Sequence, residues 1–118
     1  MKLTIKEQER LMMFTLAEMS RRRWKRGWKL NYIEAMAIIC DELLERAREG
    51  KSSIYDLVEL GSKIITEEDV MEGTPSLMPI IMLEVMFPDG NKLVTVQDPV
   101  RLEKREEAVP MDELLTMN

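Results

Sequence analysis

Residues 69–100 read DVMEGTPSLMPIIMLEVMFPDGNKLVTVQDPV, and the run Ile80-Ile81-Met82-Leu83-Glu84-Val85-Met86-Phe87 inside them decides the fold. It is a strand with apolar residues on both faces, followed by a turn at Pro88-Asp89-Gly90 and a return strand from Lys92 to Gln97. A type I turn with Gly90 left-handed and bulged closes Phe87 against Asn91. That register pairs Val85 with Leu93 and Leu83 with Thr95. Ile81, Leu83, Val85 and Phe87 then lie on one face, and Met82, Glu84, Met86, Val94 and Val96 on the other. A lone hairpin is marginal in water and leaves its backbone edges open. A strand apolar on both sides needs cover on both sides, so the chain's own helices account for one face only.

Those helices precede the hairpin. Thr4-Ile5-Lys6-Glu7 has capping-box spacing and starts a first helix. Leu11, Phe14 and Ala17, with Met12, Met13 and Met19, give it an apolar side, and it ends near Arg26 at Gly27. Asn31 and Glu34 cap a second helix with the stripe Ala35, Met36, Ile39, Cys40, Leu43, Leu44 and Ala47, ending at Gly50. Glu34, Asp41, Glu42, Glu45 and Glu49 sit mostly off that stripe. Ser53 caps a shorter third helix, in which Gly61 weakens the pattern. Thr66-Glu67-Glu68-Asp69 opens a short helical turn with acids where the helix dipole favours them. Gly73, Pro75 and Pro79 mark an irregular link. The expected architecture is α+β: a scaffold of three to four helices, then a C-terminal antiparallel hairpin.

Composition narrows the function. The 118 residues fit one domain and include no histidine and a single cysteine, Cys40. Without histidine the chain lacks the commonest general base and the commonest transition-metal ligand. A usual zinc, nickel or copper site is out of reach, as is a Ser or Cys triad. One cysteine forms no intrachain disulfide; the chain shows no apolar run of membrane-spanning length and no secretory leader, so a cytoplasmic location is expected. Net charge is −5, unevenly spread: residues 1–30 hold nine Lys/Arg against three Asp/Glu, and the remainder is strongly acidic. Such asymmetry marks a nucleic-acid or membrane contact, or a docking surface for an acidic partner.

Three local features carry candidate roles. Arg21-Arg22-Arg23-Trp24-Lys25-Arg26-Gly27-Trp28-Lys29 suits phosphate binding with Trp stacking, or a membrane surface. It equally suits the cationic end of a helix, or a subunit interface rich in Arg and Trp. The acidic balance of the rest favours the last two, so nucleic acid is the weaker partner and no membrane is expected. Cys40 lies on an apolar stripe, as a packed core thiol does. Glu67, Glu68, Asp69 and Glu72 match no Ca²⁺ loop and read as helix N-terminal acids. Arg22, Trp24, Trp28, Leu83, Phe87, Asp89, Gly90 and Gln97 are the interface candidates. The tail, Arg101 to Glu107, reads as charged and loose, followed by an apolar patch of Val109, Met111, Leu114 and Leu115.

Three blocks in order resemble the gamma subunit of bacterial urease. They are Met1-Lys2-Leu3-Thr4 with the basic end of the first helix, then Lys29 to Ala35 running on to Ala47-Arg48-Glu49-Gly50-Lys51, then Asp69 to Val100. The resemblance covers residues 1–100 and leaves 101–118 as a charged extension, a linker or remnant of a fused beta part. It implies a non-catalytic subunit of urea amidohydrolase, assembling with beta and alpha chains, usually as a trimer of heterotrimers. In that family the nickel centre, its ligands and the hydrolysis of urea to ammonia and carbamate belong to the alpha chain. No catalytic, cofactor or metal residue is therefore carried onto this sequence. Two departures stand out. Gln97 occupies the family's usual His position, and separate gamma chains commonly end near Val100. Val109-Pro110-Met111-Asp112-Glu113-Leu114 is similar to the Pro-Gly-Glu start of a beta chain but lacks its glycine. The rival functions are a basic-helix nucleic-acid or protein-interaction adaptor and a carboxylate enzyme, the latter without a supporting motif.

Overall fold

Three reciprocal caps set the helical scaffold of the computed structural model, which describes residues 1–115. Helix α1 (Ile5–Lys25) starts where the Glu7 amide donates to Thr4 Oγ1 (3.2 Å) and the Thr4 amide donates to Glu7 Oε1 (2.8 Å). Helix α2 (Tyr32–Glu49) repeats the device with Asn31 and Glu34, and α3 (Ile54–Gly61) with Ser53 and Asp56. Each box satisfies two backbone donors that a bare helix end leaves open. Gly50 ends α2 at φ 78°, a left-handed conformation that costs glycine little.

The rest of the α+β order is α4 (Thr74–Leu77), β1 (Ile80–Phe87), β2 (Gly90–Gln97) and α5 (Met111–Leu115), with 3₁₀ turns at Glu67–Asp69 and Arg105–Glu107. The short α4 falls in the link expected to be irregular; Pro75 stands in its first turn, where a missing N–H costs nothing. Strands β1 and β2 form a two-stranded antiparallel sheet. Its inner face lies on α2 and α3. Leu30, Ile38, Ile39, Leu43, Leu57, Ile64 and Ile65 are fully enclosed between these layers. Burial of each such aliphatic side chain stabilises the fold by about 1.5–3 kcal/mol.

The hairpin register differs from the sequence expectation by one residue. Phe87 faces Gly90 across a two-residue turn at Pro88 and Asp89, and pairing runs one to one through Leu83–Val94 to Ile80–Gln97, with no bulge. Gly90 does take a positive φ, 124°. A one-residue slip moves every side chain of a strand to the opposite face. Val94 and Val96 therefore join Ile81, Leu83, Val85 and Phe87 on the inner face, where both valines are completely buried. The outer face consists of Ile80, Met82, Glu84 and Met86 from β1 and Asn91, Leu93, Thr95 and Gln97 from β2, all exposed except the half-buried Thr95. Burying two more β-branched side chains decides in favour of the tighter turn.

Gly61 explains why β2 can come so close to α3. A Cβ at position 61 would stand 2.6 Å from Val96 Cγ2. The tail is a second correction. Residues 101–107 are fastened to the body, not loose: the Glu67 amide donates to the Leu102 carbonyl (2.9 Å) and the Glu68 amide to the Glu103 carbonyl (3.2 Å). The Val109 amide donates to the Lys63 carbonyl (2.8 Å), and Leu114 of α5 is fully buried in the main core. Apolar side chains beyond Val100 thus complete the core instead of trailing in solvent. The last three residues of the extension lie outside the described residues.

Gly61→Ala is expected to lower unfolding free energy by about 1–3 kcal/mol through overpacking. Thermal or denaturant unfolding would show it, and adding Val96→Ala should recover part of that loss. Additive costs in the double variant would contradict the close approach.

Candidate functional site

Trp28 lies four positions after Trp24, and the two have opposite environments. Trp24 is an inward residue, 4% exposed. Its indole Nε1 donates to Asp69 Oδ1 (3.2 Å), and the Arg105 guanidinium lies 5.2 Å from its ring centroid. It is therefore part of the chain's own core, which corrects its placement among interface candidates. Trp28 is 56% exposed beyond the end of α1. The arginines divide in the same way. Arg21 is buried against Asp41, and Arg23 Nη1 donates to Glu34 Oε2 (2.6 Å). Arg22, Lys25 and Arg26 stay exposed with no side-chain partner among the described residues. Lys29 donates to the Glu68 carbonyl.

The hairpin candidates divide too. Phe87 is buried and Leu83 half-buried, both against the core, so neither is an open contact. Asp89, Gly90 and Gln97 are exposed. A hydrogen bond from Lys92 Nζ (3.0 Å) holds the Asp89 carboxyl below its usual range. The Gln97 carbonyl accepts from Arg101 Nη2 (2.5 Å), leaving the side chain in solvent. The residues that the sequence reading passed over are outward ones. Leu93 joins Met82 and Met86 on the exposed face, and Met86 also lines a groove of about 610 Å³ with Leu3, Leu11, Phe14 and Leu44. A correct register would have found Leu93; the groove needs the fold. Exposed apolar surface with a charged rim is the composition of a protein contact.

Buried charge lies under the α1–α2 contact. Asp41 is fully buried and accepts from Arg10 Nη1 and Arg21 Nη2, both at 2.7 Å. Glu42, 2% exposed, has only longer contacts: Arg21 Nη2 at 3.6 Å and Arg46 Nε at 3.5 Å. Burial pushes its carboxyl above the ordinary value, and the two arginines offset that only in part. Both acids were expected off the apolar stripe of α2; Arg21 reaching in from α1 is what lets them be buried. Glu34 is buried by the same means, through Arg23.

Cys40 is buried, and the lack of solvation raises its thiol to about 11, which keeps it protonated and inert. In the acidic segment, Asp69 alone turns inward, accepting from the Thr66 amide and hydroxyl (2.8 Å each) and from Arg105 Nη1 (2.8 Å). Glu67, Glu68 and Glu72 face solvent. No group of three or more His, Cys, Asp or Glu is placed to hold a metal ion among the described residues. No helix among them is long and apolar enough to cross a membrane.

An inner core closed by buried ion pairs, with an apolar hairpin face and a basic corner left outside, defines a small α+β domain with uncovered surfaces. Relatives give that class a name. Residues 1–100 match the family described as "Urease, gamma subunit". "Urease subunit gamma" of Natronomonas pharaonis is 50% identical over 107 residues, 91% of this chain and 97% of that one. "Urease subunit gamma/beta" proteins of two Pseudomonas syringae pathovars, syringae and tomato, are each 50% identical over 101 residues. There the match spans 86% of this chain and 43% of the longer relative. The chain belongs to the urease gamma subunit family.

Two measurements test the buried charges. Arg105→Ala leaves Asp69 without its cation and uncovers Trp24, and should cost about 3 kcal/mol in denaturant unfolding. A loss within experimental error would show that the C-terminal strap, residues 101–109, is not held by this pair. For Glu42, the folded chain binds the proton more tightly than the unfolded one. Its favourable contribution is therefore complete below the ordinary glutamate value of 4.5 and is lost as the pH rises through the folded value. Glu42→Gln should accordingly be more stable than the parent at pH values well above that range. The difference should shrink on acidification towards it. An unchanged pH profile in melts of both proteins would contradict the assignment.

Proposed function

We propose that this chain is the non-catalytic gamma-type component of a urease, joining beta and alpha chains in a trimer of heterotrimers in the cytoplasm. The observation that carries the reading is the outer hairpin face. Ile80, Met82, Met86 and Leu93 are apolar and exposed on a two-stranded sheet whose other face is already filled. Such a surface calls for a protein partner, and the relatives named as gamma/beta fusions support a beta chain as one.

The reading assigns nickel and urea hydrolysis to the alpha chain. The donor set here does not fit a nickel site: the sequence has no histidine, and the lone Cys40 is buried with a raised thiol. No catalytic step is accordingly assigned to any residue of this chain. A nucleic-acid adaptor is the rival reading, resting on the basic end of α1.

Co-expression with cognate beta and alpha chains, followed by size-exclusion chromatography and an ammonia-release assay, tests the proposal. The assembled complex should hydrolyse urea and the isolated chain should not. Met82→Asp combined with Met86→Asp should cut the yield of complex by about tenfold, since interface energy concentrates in a few buried anchors. The isolated double variant should melt like the parent, because both side chains are exposed. Urea turnover by the pure chain, or full assembly of the double variant, would overturn the proposal.

A further inference from the structure

The basic end of α1 carries more than a favourable helix dipole requires. Arg21 and Arg23 are consumed by Asp41 and Glu34, yet Arg22, Lys25 and Arg26 remain exposed within one helical turn and have no side-chain partner among the described residues. Cations three and four residues apart share a helix face and repel one another. Trp28 protrudes beside them at 56% exposure. The fold brings further apolar surface to the same corner. Leu30 forms a parallel bridge with Val70, and the Met71 amide donates to the Leu30 carbonyl (2.9 Å). That places Met71, 50% exposed, alongside the start of α2, where Ile33 is 47% exposed. Cations at a helix C-terminus explain the charge but not the uncovered Trp, Ile and Met around it.

We propose that this corner docks an acidic, partly apolar segment of another polypeptide chain. Arg22, Lys25 and Arg26 would meet its carboxylates, and Trp28, Ile33 and Met71 its apolar side chains. Charge complementarity sets the sign of the partner. The size of the patch sets its kind. The cations span one turn, and residues 31–118 hold nineteen Asp/Glu against eight Lys/Arg. A nucleic-acid backbone leaving the patch would run onto a repelling surface. Ile33 and Met71 are aliphatic and offer no stacking platform for bases, whereas Arg and Trp together are the usual anchors of a protein contact. The inference deepens the subunit reading, on which it rests only for the partner's identity. The corner is a second contact, separate from the hairpin.

Fluorescence anisotropy on the full chain tests it without assuming a partner. The probe is a labelled peptide of Glu-Asp-Leu repeats, with a Gln-Asn-Leu peptide and an oligothymidylate as comparisons, in low-salt buffer. The acidic peptide should bind about tenfold or more tightly than the neutral one, and lose affinity steeply with added salt. Arg22→Glu with Arg26→Glu should weaken it by about tenfold, and Trp28→Ala by about fivefold. All three side chains are exposed, so each variant should stay folded, with only the small drop in melting temperature that charge reversal at a helix C-terminus brings. Equal binding of the acidic and neutral peptides, an unaffected charge-reversed variant, or tighter binding of the oligothymidylate would each overturn the proposal. Co-expression separates this from the subunit reading. A chain that takes the acidic peptide but never assembles sinks the subunit reading alone. A chain that assembles fully with the corner reversed, and ignores the peptide, sinks the corner alone.

Discussion

The Asp69 carboxylate is the point on which separate parts of the chain converge. It is 7% exposed and accepts from the Trp24 indole, the Thr66 amide and hydroxyl, and the Arg105 guanidinium. Its own carbonyl accepts from the Leu30 amide (2.9 Å). One residue therefore fixes the end of α1, the α1–α2 connection, the turn before α4 and the C-terminal strap. A buried carboxylate is costly unless both oxygens are satisfied and a cation is near. Here Trp24 serves one oxygen, and Thr66 and Arg105 serve the other. Once those donors are committed, the strap is part of the domain, because Arg105 also donates to the carbonyls of Ile64 (2.8 Å) and Val109 (2.5 Å).

How much of this was legible in the sequence depended on the range of the interaction. Helix starts at Thr4, Asn31 and Ser53 were readable because a cap and its reciprocal acid lie within one turn. The strands and the turn at Pro88-Asp89 were readable for the same reason. The hairpin register was not: local turn chemistry allows a bulge at Gly90, and the choice was made by α3, where Gly61 admits Val96. The split between Trp24 and Trp28 was hidden because it depends on Asp69, far along the chain. Asp41 and Glu42 looked like surface acids because their cation, Arg21, comes from another helix. The candidate surfaces were legible in outline only, as a basic stretch and an apolar strand. Which members face out was a tertiary matter.

This division has a physical consequence for α1. Ala17 and Trp24 face the core, while Ile5, Met12 and Met19 recur every seven residues on an exposed side. Leu11 and Phe14 border the groove beneath the hairpin tip. Exposed apolar positions of this kind beside a charged surface have the composition of a protein contact. The buried ion pairs between α1 and α2 then acquire a purpose. Asp41 held by Arg10 and Arg21 fixes the axial register of the two helices, which apolar packing alone leaves free to slide.

Rigidity of that kind suits the contact proposed on the apolar outer face of the hairpin. The outer hairpin surface can be specific only if the sheet beneath it does not move, and two strands alone would. Inner-face burial of Val94 and Val96, the tight contact at Gly61 and the strap anchored by Arg105 all act on the side away from the exposed methionines. Met82 and Met86, flexible and without polar atoms, can then adapt to a partner while the backbone holds its position. The fold thus keeps order and adaptability on opposite faces of one sheet.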